Sequence, residues 1–280
     1  MSLKQEIQQR LNSLGVVPKQ SLGQNFLIDE SVVSHIIKEV ISHQPEALVE
    51  VGPGVGALTF SLMKLGSPLT LIELDRKFAK LWEDEFQLVA QADALQLDWR
   101  SLDLPYKTLL VSNLPYQISS SLIVERSLGP SQVVTMVLML QKEVAQRIMA
   151  LPRSKEYGLL SVIAQLYWVV HKVCEVGPGC FWPKPKVASR VLAFKRREEA
   201  PQIYGKELLG FIKAAFSHRR KILWKNLAGE YGYFGINRDF AQKIGMDFGL
   251  EPQVRAEELE PEQFVQLFEA FRSVGIGRYS

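Results

Sequence analysis

Apolar and polar residues alternate along this chain with two different periods. Val33, Ile36, Ile37, Val40 and Ile41 recur at helical spacing behind Asp29 and Ser31, either of which can cap a helix N-terminus. Ala47 to Val51 predicts a short strand ending at a run of glycines, and 58–65 predicts a helix with one apolar side. Leu69 to Ile72 predicts a second strand, closed by Glu73-Leu74-Asp75. Leu88 to Ala92, Thr108 to Ser112 and Val133 to Leu140 predict three more. The last is apolar but for Thr135, as expected of a strand covered on both faces. Short apolar strands alternating with amphipathic helices predict an α/β fold with a Rossmann-like, doubly wound parallel sheet.

The pattern changes at the charged stretch Lys195-Arg196-Arg197-Glu198-Glu199-Ala200-Pro201. Beyond it the periodicity is helical over 208–216, 219–227 and 261–271, so we divide the chain into a sheet domain, 1–198, and a small all-helical domain, 199–280.

Composition narrows the class. With 280 residues, 47% hydrophobic and 22% charged, the chain reads as a globular protein of one or two domains. No apolar run approaches the roughly twenty residues of a membrane span. The first residues, Met1-Ser2-Leu3-Lys4-Gln5-Glu6, lack the apolar core of a signal peptide, so a cytoplasmic protein is expected. Cys174 and Cys180 fit no metal-ligand spacing, and no metal site is expected. A net charge of +3 names no partner by itself; what matters is where the charges fall.

Candidate chemistry starts at Gly52-Pro53-Gly54-Val55-Gly56. Such a loop lets a strand turn sharply into a helix and brings backbone close to a nucleotide-like ligand, with Gly52 and Gly54 at the contact. Glu73, about twenty residues on, stands where a carboxylate can accept both ribose hydroxyls. With Ala57 counted, the loop also satisfies the looser fingerprint of nicotinamide enzymes. Two details favour S-adenosylmethionine: Pro53 removes one N–H that a pyrophosphate would use, and Glu50 would repel a diphosphate but attract a cation. Asp93, after the third strand, can accept the N6 hydrogens of the cofactor's adenine, or can simply cap a turn.

Asn113-Leu114-Pro115-Tyr116 follows the fourth strand. The exocyclic amine of a base is a poor nucleophile because its lone pair is delocalised into the ring. The Asn113 side-chain carbonyl and the Leu114 backbone carbonyl can hold its two hydrogens. Pro115 fixes the turn, and Tyr116 offers a face on which a flipped base can stack. Asn113 also lies within reach of the cofactor. Together these residues read as S-adenosylmethionine-dependent methylation of a base amine.

These motifs, in this order, resemble the rRNA adenine N6,N6-dimethyltransferases, and the small-subunit (16S) branch of that family most. The resemblance spans nearly the whole chain. Gln20 to Asp29 is similar to the family's N-terminal cofactor motif, which implies cofactor contacts for Gln24, Asn25 and Leu27. Phe181-Trp182-Pro183-Lys184-Pro185-Lys186-Val187 resembles its base-site loop, which implies that Phe181 stacks on the target adenine opposite Tyr116. Phe216 to Lys221 and Arg255 to Leu259 resemble its C-terminal domain. The family implies dimethylation of two adjacent adenines near the 3′ end of 16S rRNA, on an immature small ribosomal subunit, with a role in ribosome biogenesis.

The basic residues fit that partner. Lys184, Lys186 and Arg190 cluster with Lys195 to Arg197 after the reaction turn, and Arg219, Arg220 and Lys221 cluster on a later predicted helix. Both groups are expected to bind rRNA phosphates. The acidic stretch Glu257, Glu258, Glu260 and Glu262 is expected to face away from RNA. No membrane partner is expected, and the chain is expected to act as a monomer. Three rival readings share parts of this pattern: a large-subunit methyltransferase of the macrolide-resistance type, a non-catalytic RNA-binding assembly factor on the same fold, and, more distantly, a nicotinamide dehydrogenase.

Overall fold

The structure is a computed structural model describing residues 2–18, 25–83, 89–128, 132–201, 205–228 and 237–276. It opens with α1 (Leu3–Ser13), a two-residue β1 (Phe26–Leu27) and α2 (Glu30–Ser42). Strands and helices then alternate: β2 (Ala47–Val51), α3 (Thr59–Met63), β3 (Leu69–Glu73), α4 (Arg76–Glu83), β4 (Val89–Gln91), β5 (Thr108–Asn113), α5 (Ser119–Leu128) and β6 (Val133–Gln141). After α6 (Lys142–Ile148) and α7 (Leu159–Tyr167) come β7 (Trp168–Val176), β8 (Phe181–Trp182) and β9 (Ser189–Arg196). The remaining helices are α8 (Gly205–Ala215), α9 (Leu223–Leu227), α10 (Arg238–Asp247) and α11 (Pro261–Ile276).

The predicted apolar runs build the centre of the sheet. Every residue of β2 and β3 is buried, as strands covered on both faces require. Seven strands lie in the order β4-β3-β2-β5-β6-β9-β7, and β1 pairs separately with β8. From β4 to β6 every pairing is parallel. The parallel sheet expected from the sequence is corrected at one side: β9 runs antiparallel to β6, from Thr135 opposite Lys195 to Gln141 opposite Ser189. The sheet is therefore mixed. Strand β7 escaped the sequence reading because its exposed and buried residues follow no simple alternation, as on a strand open to solvent. Strand β9 escaped it because it runs into the charged stretch.

Asp29 caps α2, its Oδ1 accepting the N–H groups of Ser31 (3.0 Å) and Val32 (3.1 Å). The buried face of that helix is Val32, Val33, Ile36 and Val40, whereas Ile41 is more than half exposed. Helix α1 buries Ile7 and Leu11 against Phe26, Val55 and Phe78, beneath the glycine loop.

Contacts divide the described residues into two compact units. One lies within Met1–Arg126, Pro130–Ala145 and Val169–Arg196, the other within Ser127–Gly129, Gln146–Trp168 and Arg197–Ser280. The second unit thus includes α7, nearly all of whose residues are buried; an all-round apolar helix must be covered on every side. Its core is aromatic: the Phe211 ring meets Phe268 and Phe271 edge-on, and Phe216 stacks on Phe264 at 5.6 Å. The Tyr157 hydroxyl donates to the Leu259 carbonyl at 2.8 Å.

The helix expected over 219–227 is shorter than predicted. Only Leu223–Leu227 is helical. The buried Asn226 explains the break: its Nδ2 donates to the carbonyls of Ala215 (2.7 Å) and His218 (3.1 Å), satisfying the end of α8 so that the chain turns. His218, Arg219, Arg220 and Lys221 therefore sit on a turn and not on one helix face. Among the described residues, no helix is long and apolar enough to cross a membrane.

Gly245 of α10 packs directly on the buried Trp224, and a Cβ there would lie 1.9 Å from Trp224 Cη2. Gly245→Ala should lower the stability of this unit by about 1–3 kcal/mol through overpacking, read as a lower midpoint in thermal unfolding.

Candidate active site

Strand β2 feeds a loop whose backbone needs glycine. Gly54 has φ +54° and Gly56 φ +97°, a region side-chain-bearing residues rarely adopt. Space is short as well: a Cβ on Gly56 would lie 2.3 Å from Phe60 Cε2 and 2.8 Å from Trp82 Cη2. Three hydrogen bonds hold the loop. The Gly52 N–H donates to the Ile72 carbonyl (2.8 Å), the Trp82 indole N–H to the Gly54 carbonyl (2.8 Å), and the Gly54 N–H to Glu73 Oε2 (3.1 Å).

The loop forms one wall of a cleft of about 420 Å³, within the range of small-molecule and cofactor sites. Asn25 and Leu27, Gly52 and Gly54, Glu73, Asp93, and the turn Asn113 to Tyr116 all line it. The sequence therefore named residues in each of the widely separated segments that build the cleft. Gln24 lies outside the described residues. Phe26, Leu74 and Phe78 also line the cleft and were missed. Phe26 and Leu74 flank named residues, whereas nothing in the sequence marks Phe78.

Phe181 requires a correction. It is 3% exposed, pairs with Leu27 in the β1–β8 ladder and belongs to the core with Val33 and Val176, and it does not line the cleft. In this structure it presents no face for a base. An aromatic side chain beside a strand-pairing position can be buried as readily as displayed, and the sequence could not choose.

Four carboxylates line the cleft: Glu50, Glu73, Asp75 and Asp93. Glu73 Oε2 holds the Gly54 N–H and its Oε1 holds the Asp75 N–H (2.9 Å). Burial raises its pKa, and these backbone donors oppose the rise. Asp93 lines the cleft and also braces the turn that follows it. Its Oδ1 accepts the Leu95 N–H (2.9 Å) and its Oδ2 the Gln96 side-chain amide (3.0 Å), while the residue faces the cleft. Glu50 is 2% exposed, and its Oε2 has no hydrogen-bond partner. Burial pushes its carboxyl up to about 8, with repulsion from Glu73 adding to the rise. The nearby Thr59 hydroxyl offsets part of this, although it makes no hydrogen bond of good geometry to the carboxylate.

The reaction turn is braced from three sides. The Ser112 hydroxyl donates to the Val51 carbonyl, joining the ends of β5 and β2. Asn113 Nδ2 donates to the Asn25 carbonyl at 3.1 Å. A carbonyl can only accept, so this bond fixes which end of the Asn113 amide turns away, and that end is the acceptor Oδ1. The Tyr116 hydroxyl meets Ser189 Oγ at 3.0 Å, which orients the ring, and the Leu114 side chain is buried beneath the turn.

The basic residues are not equivalent. Lys184, Lys186, Arg220 and Lys221 are exposed. Arg190 instead binds Glu175 through Nη2 (2.6 Å) and Nε (2.8 Å). Arg219 Nε is paired with Glu257, and its Nη2 donates to the Ser154 carbonyl at 2.9 Å. Glu257 of the acidic stretch thus meets Arg219 of the basic one. Arg190 and Arg219 are committed to internal partners.

Residues 17–273 match the family model described as ribosomal RNA adenine dimethylase. The chain belongs to the ribosomal RNA adenine dimethylase family. Its relatives include a protein of Bdellovibrio bacteriovorus named ribosomal RNA small subunit methyltransferase A. The two are 47% identical over 96% of this chain and 97% of the relative. Among solved structures, a dimethyladenosine transferase from Plasmodium falciparum superposes with a TM-score of 0.74 at 22% identity, covering 89% of this chain and 98% of the other. The 23S rRNA methyltransferase ErmE does so at 0.62 and 23%, covering 89% and 100%. Both share the fold.

The cofactor of this rRNA adenine dimethylase is S-adenosylmethionine, and the cleft suits it. The buried, unpartnered Glu50 Oε2 calls for a positive charge, which the sulfonium and ammonium of that ligand carry and a diphosphate does not. Glu73 retains lone pairs for ribose hydroxyls beyond the two it commits to N–H groups. Glu73→Ala removes a carboxylate free to accept ribose hydroxyls and the anchor of the Gly54 N–H. Calorimetry should find S-adenosylmethionine affinity about 10- to 100-fold lower, and wild-type affinity would exclude Glu73 from the site.

Proposed function

We propose that the chain dimethylates N6 of two adjacent adenines near the 3′ end of small-subunit rRNA, acting as a monomer in the cytoplasm on immature subunits. The observation that carries the chemistry is the Asn113 amide, clamped to the Asn25 carbonyl at the edge of the cleft with its oxygen turned outward. The small-subunit target is supported by the name of the Bdellovibrio relative.

The residues divide the work. The Asn113 Oδ1 and Leu114 carbonyls accept the two hydrogens of the amine, which draws its lone pair out of the ring and aims it at the donor. The Tyr116 ring, steadied through Ser189, supports the extruded base. S-adenosylmethionine supplies an electrophilic methyl group. No strong base is needed, because the amine becomes acidic as it is methylated, and its proton leaves to solvent. Alignment of nitrogen with the methyl supplies most of the rate. A buried Phe181 leaves Tyr116 as the stacking face this structure offers.

Methyl transfer to unmethylated small subunits, with large subunits as control and nucleoside analysis of the product, tests this directly. N6,N6-dimethyladenosine in small-subunit rRNA alone is expected. Label in large-subunit rRNA would move the chain to the resistance-type branch, and tight binding without label would make it a non-catalytic factor. In the same assay Asn113→Ala should lower kcat about 100- to 1000-fold while leaving donor affinity intact. Unchanged turnover would remove Asn113 from the reaction.

The exposed Lys184, Lys186, Arg220 and Lys221 contribute phosphate contacts, the last two from the helical C-terminal domain. Replacing Arg220 and Lys221 by Ala should flatten the salt dependence of subunit binding by about 1 to 2 in log–log slope. Arg219→Ala should leave the slope unchanged and lower thermal stability instead, because its guanidinium serves Glu257 and Ser154.

A further inference from the structure

Of the four carboxylates that line the cleft, Glu73, Asp75 and Asp93 accept backbone N–H groups, whereas Glu50 Oε2 has no partner. Glu50 sits inside β2, opposite Leu71 of β3 and Val111 of β5, both apolar. The charged group acting on it is Glu73 of β3, which repels a second negative charge; Thr59 of α3 eases this a little. A lone carboxylate in such a place is unfavourable as an anion unless a cation enters the cleft.

Resting on the reading of the cleft as an S-adenosylmethionine site, we propose that Glu50 distinguishes methyl donor from spent product by charge. It is neutral in the empty cleft, ionises against the sulfonium, and regains a proton once that charge is gone. Donor and product share the adenosine and amino-acid parts. The loop, Glu73 and Asp93 address those shared parts. The difference is one methyl and one positive charge. In the transfer the S–CH3 bond breaks with its electron pair left on a neutral thioether. The adenine nitrogen uses its lone pair to form the N–CH3 bond and loses its proton to solvent. Glu50 releases one proton when the donor binds and takes one back after transfer. Without the sulfonium, only the ammonium that donor and product share is left in the cleft, and the neutral acid holds the product less tightly than the carboxylate held the donor. Product release is thereby favoured by the same group that recruits donor.

The sign of the pH dependence follows. Burial and Glu73 raise the carboxyl to about 8 in the empty cleft, so the protonated form dominates at neutral pH. Donor binding then requires proton loss and strengthens as pH rises, whereas product binding does not require it.

Titration calorimetry on the full chain with S-adenosylmethionine and S-adenosylhomocysteine tests this, using buffers of different ionisation heat. At pH 7 the donor should release close to one proton and the product none. The ratio of donor to product affinity should rise about tenfold between pH 7 and pH 9; taking the ratio cancels titration of the shared amino group. Glu50→Gln should make that ratio independent of pH and bring the two affinities closer together. A flat ratio in the wild type, or a slope that persists in Glu50→Gln, would overturn the idea even with both ligands bound. If the variant fails to fold, the wild-type proton release alone decides. Failure of the wild type to bind either ligand would instead overturn the cofactor assignment on which the role of Glu50 depends.

Discussion

A buried carboxylate must find donors, and in this fold Glu73 finds them in the backbone on both sides of the cleft. One oxygen holds the N–H of Gly54 in the loop after β2, the other the N–H of Asp75 just past β3. Two neighbouring parallel strands are thus tied at the edge where a parallel sheet offers its ligand crevice. The loop is then closed from the far side by the Trp82 indole, whose N–H takes the Gly54 carbonyl. The glycine loop is positioned from this tie outward. Gly54 is where it is because Glu73 and Trp82 hold its two polar groups, and the Phe26 ring packs on the same glycine.

The substrate side is built on a different principle, with contacts that span long stretches of chain. The Asn113 amide reaches back to the carbonyl of Asn25, and the Tyr116 hydroxyl reaches forward to Ser189. Neither bond is made within a secondary-structure element. They turn a four-residue turn with little rigidity of its own, apart from Pro115, into a fixed arrangement of acceptors. Hydrogen bonding separates the carboxylates of the cleft: Glu73 and Asp93 are supplied with N–H donors, whereas Glu50 Oε2, left without one, is suited to respond to an entering charge.

Much of this was legible in the sequence, and the reasons differ from place to place. Glycines and strand ends are local features, so Gly52, Gly54, Glu73, Asp93 and Asn113 could be assigned to one crevice from spacing alone. Asp29 announced its cap in the same local way. Long-range pairing was not legible. That β9 would turn antiparallel against β6, or that α7 would join the helical unit, depends on partners far along the chain. Side-chain commitments were also hidden. Arg190 and Arg219 look like Arg220 and Lys221 in the sequence, yet Glu175 and Glu257 claim them. Phe181 illustrates the same limit, since strand pairing with Leu27 carried its ring into the core.

The antiparallel seam between β6 and β9 has a consequence for the order in which the protein comes into being. Ser189, the partner of Tyr116, opens β9, and until that strand has emerged from the ribosome the reaction turn lacks one of its braces. Strand β6, apolar from Val133 to Leu140 but for Thr135, is at that moment an unpaired sheet edge of the kind that recruits other strands. A nascent chain therefore passes through a window, open until residue 196 is available, in which its parallel half can fold but its most adhesive edge is uncovered. Synthesis pausing within that window would favour aggregation, and the speed with which β9 docks becomes a determinant of yield as much as of function.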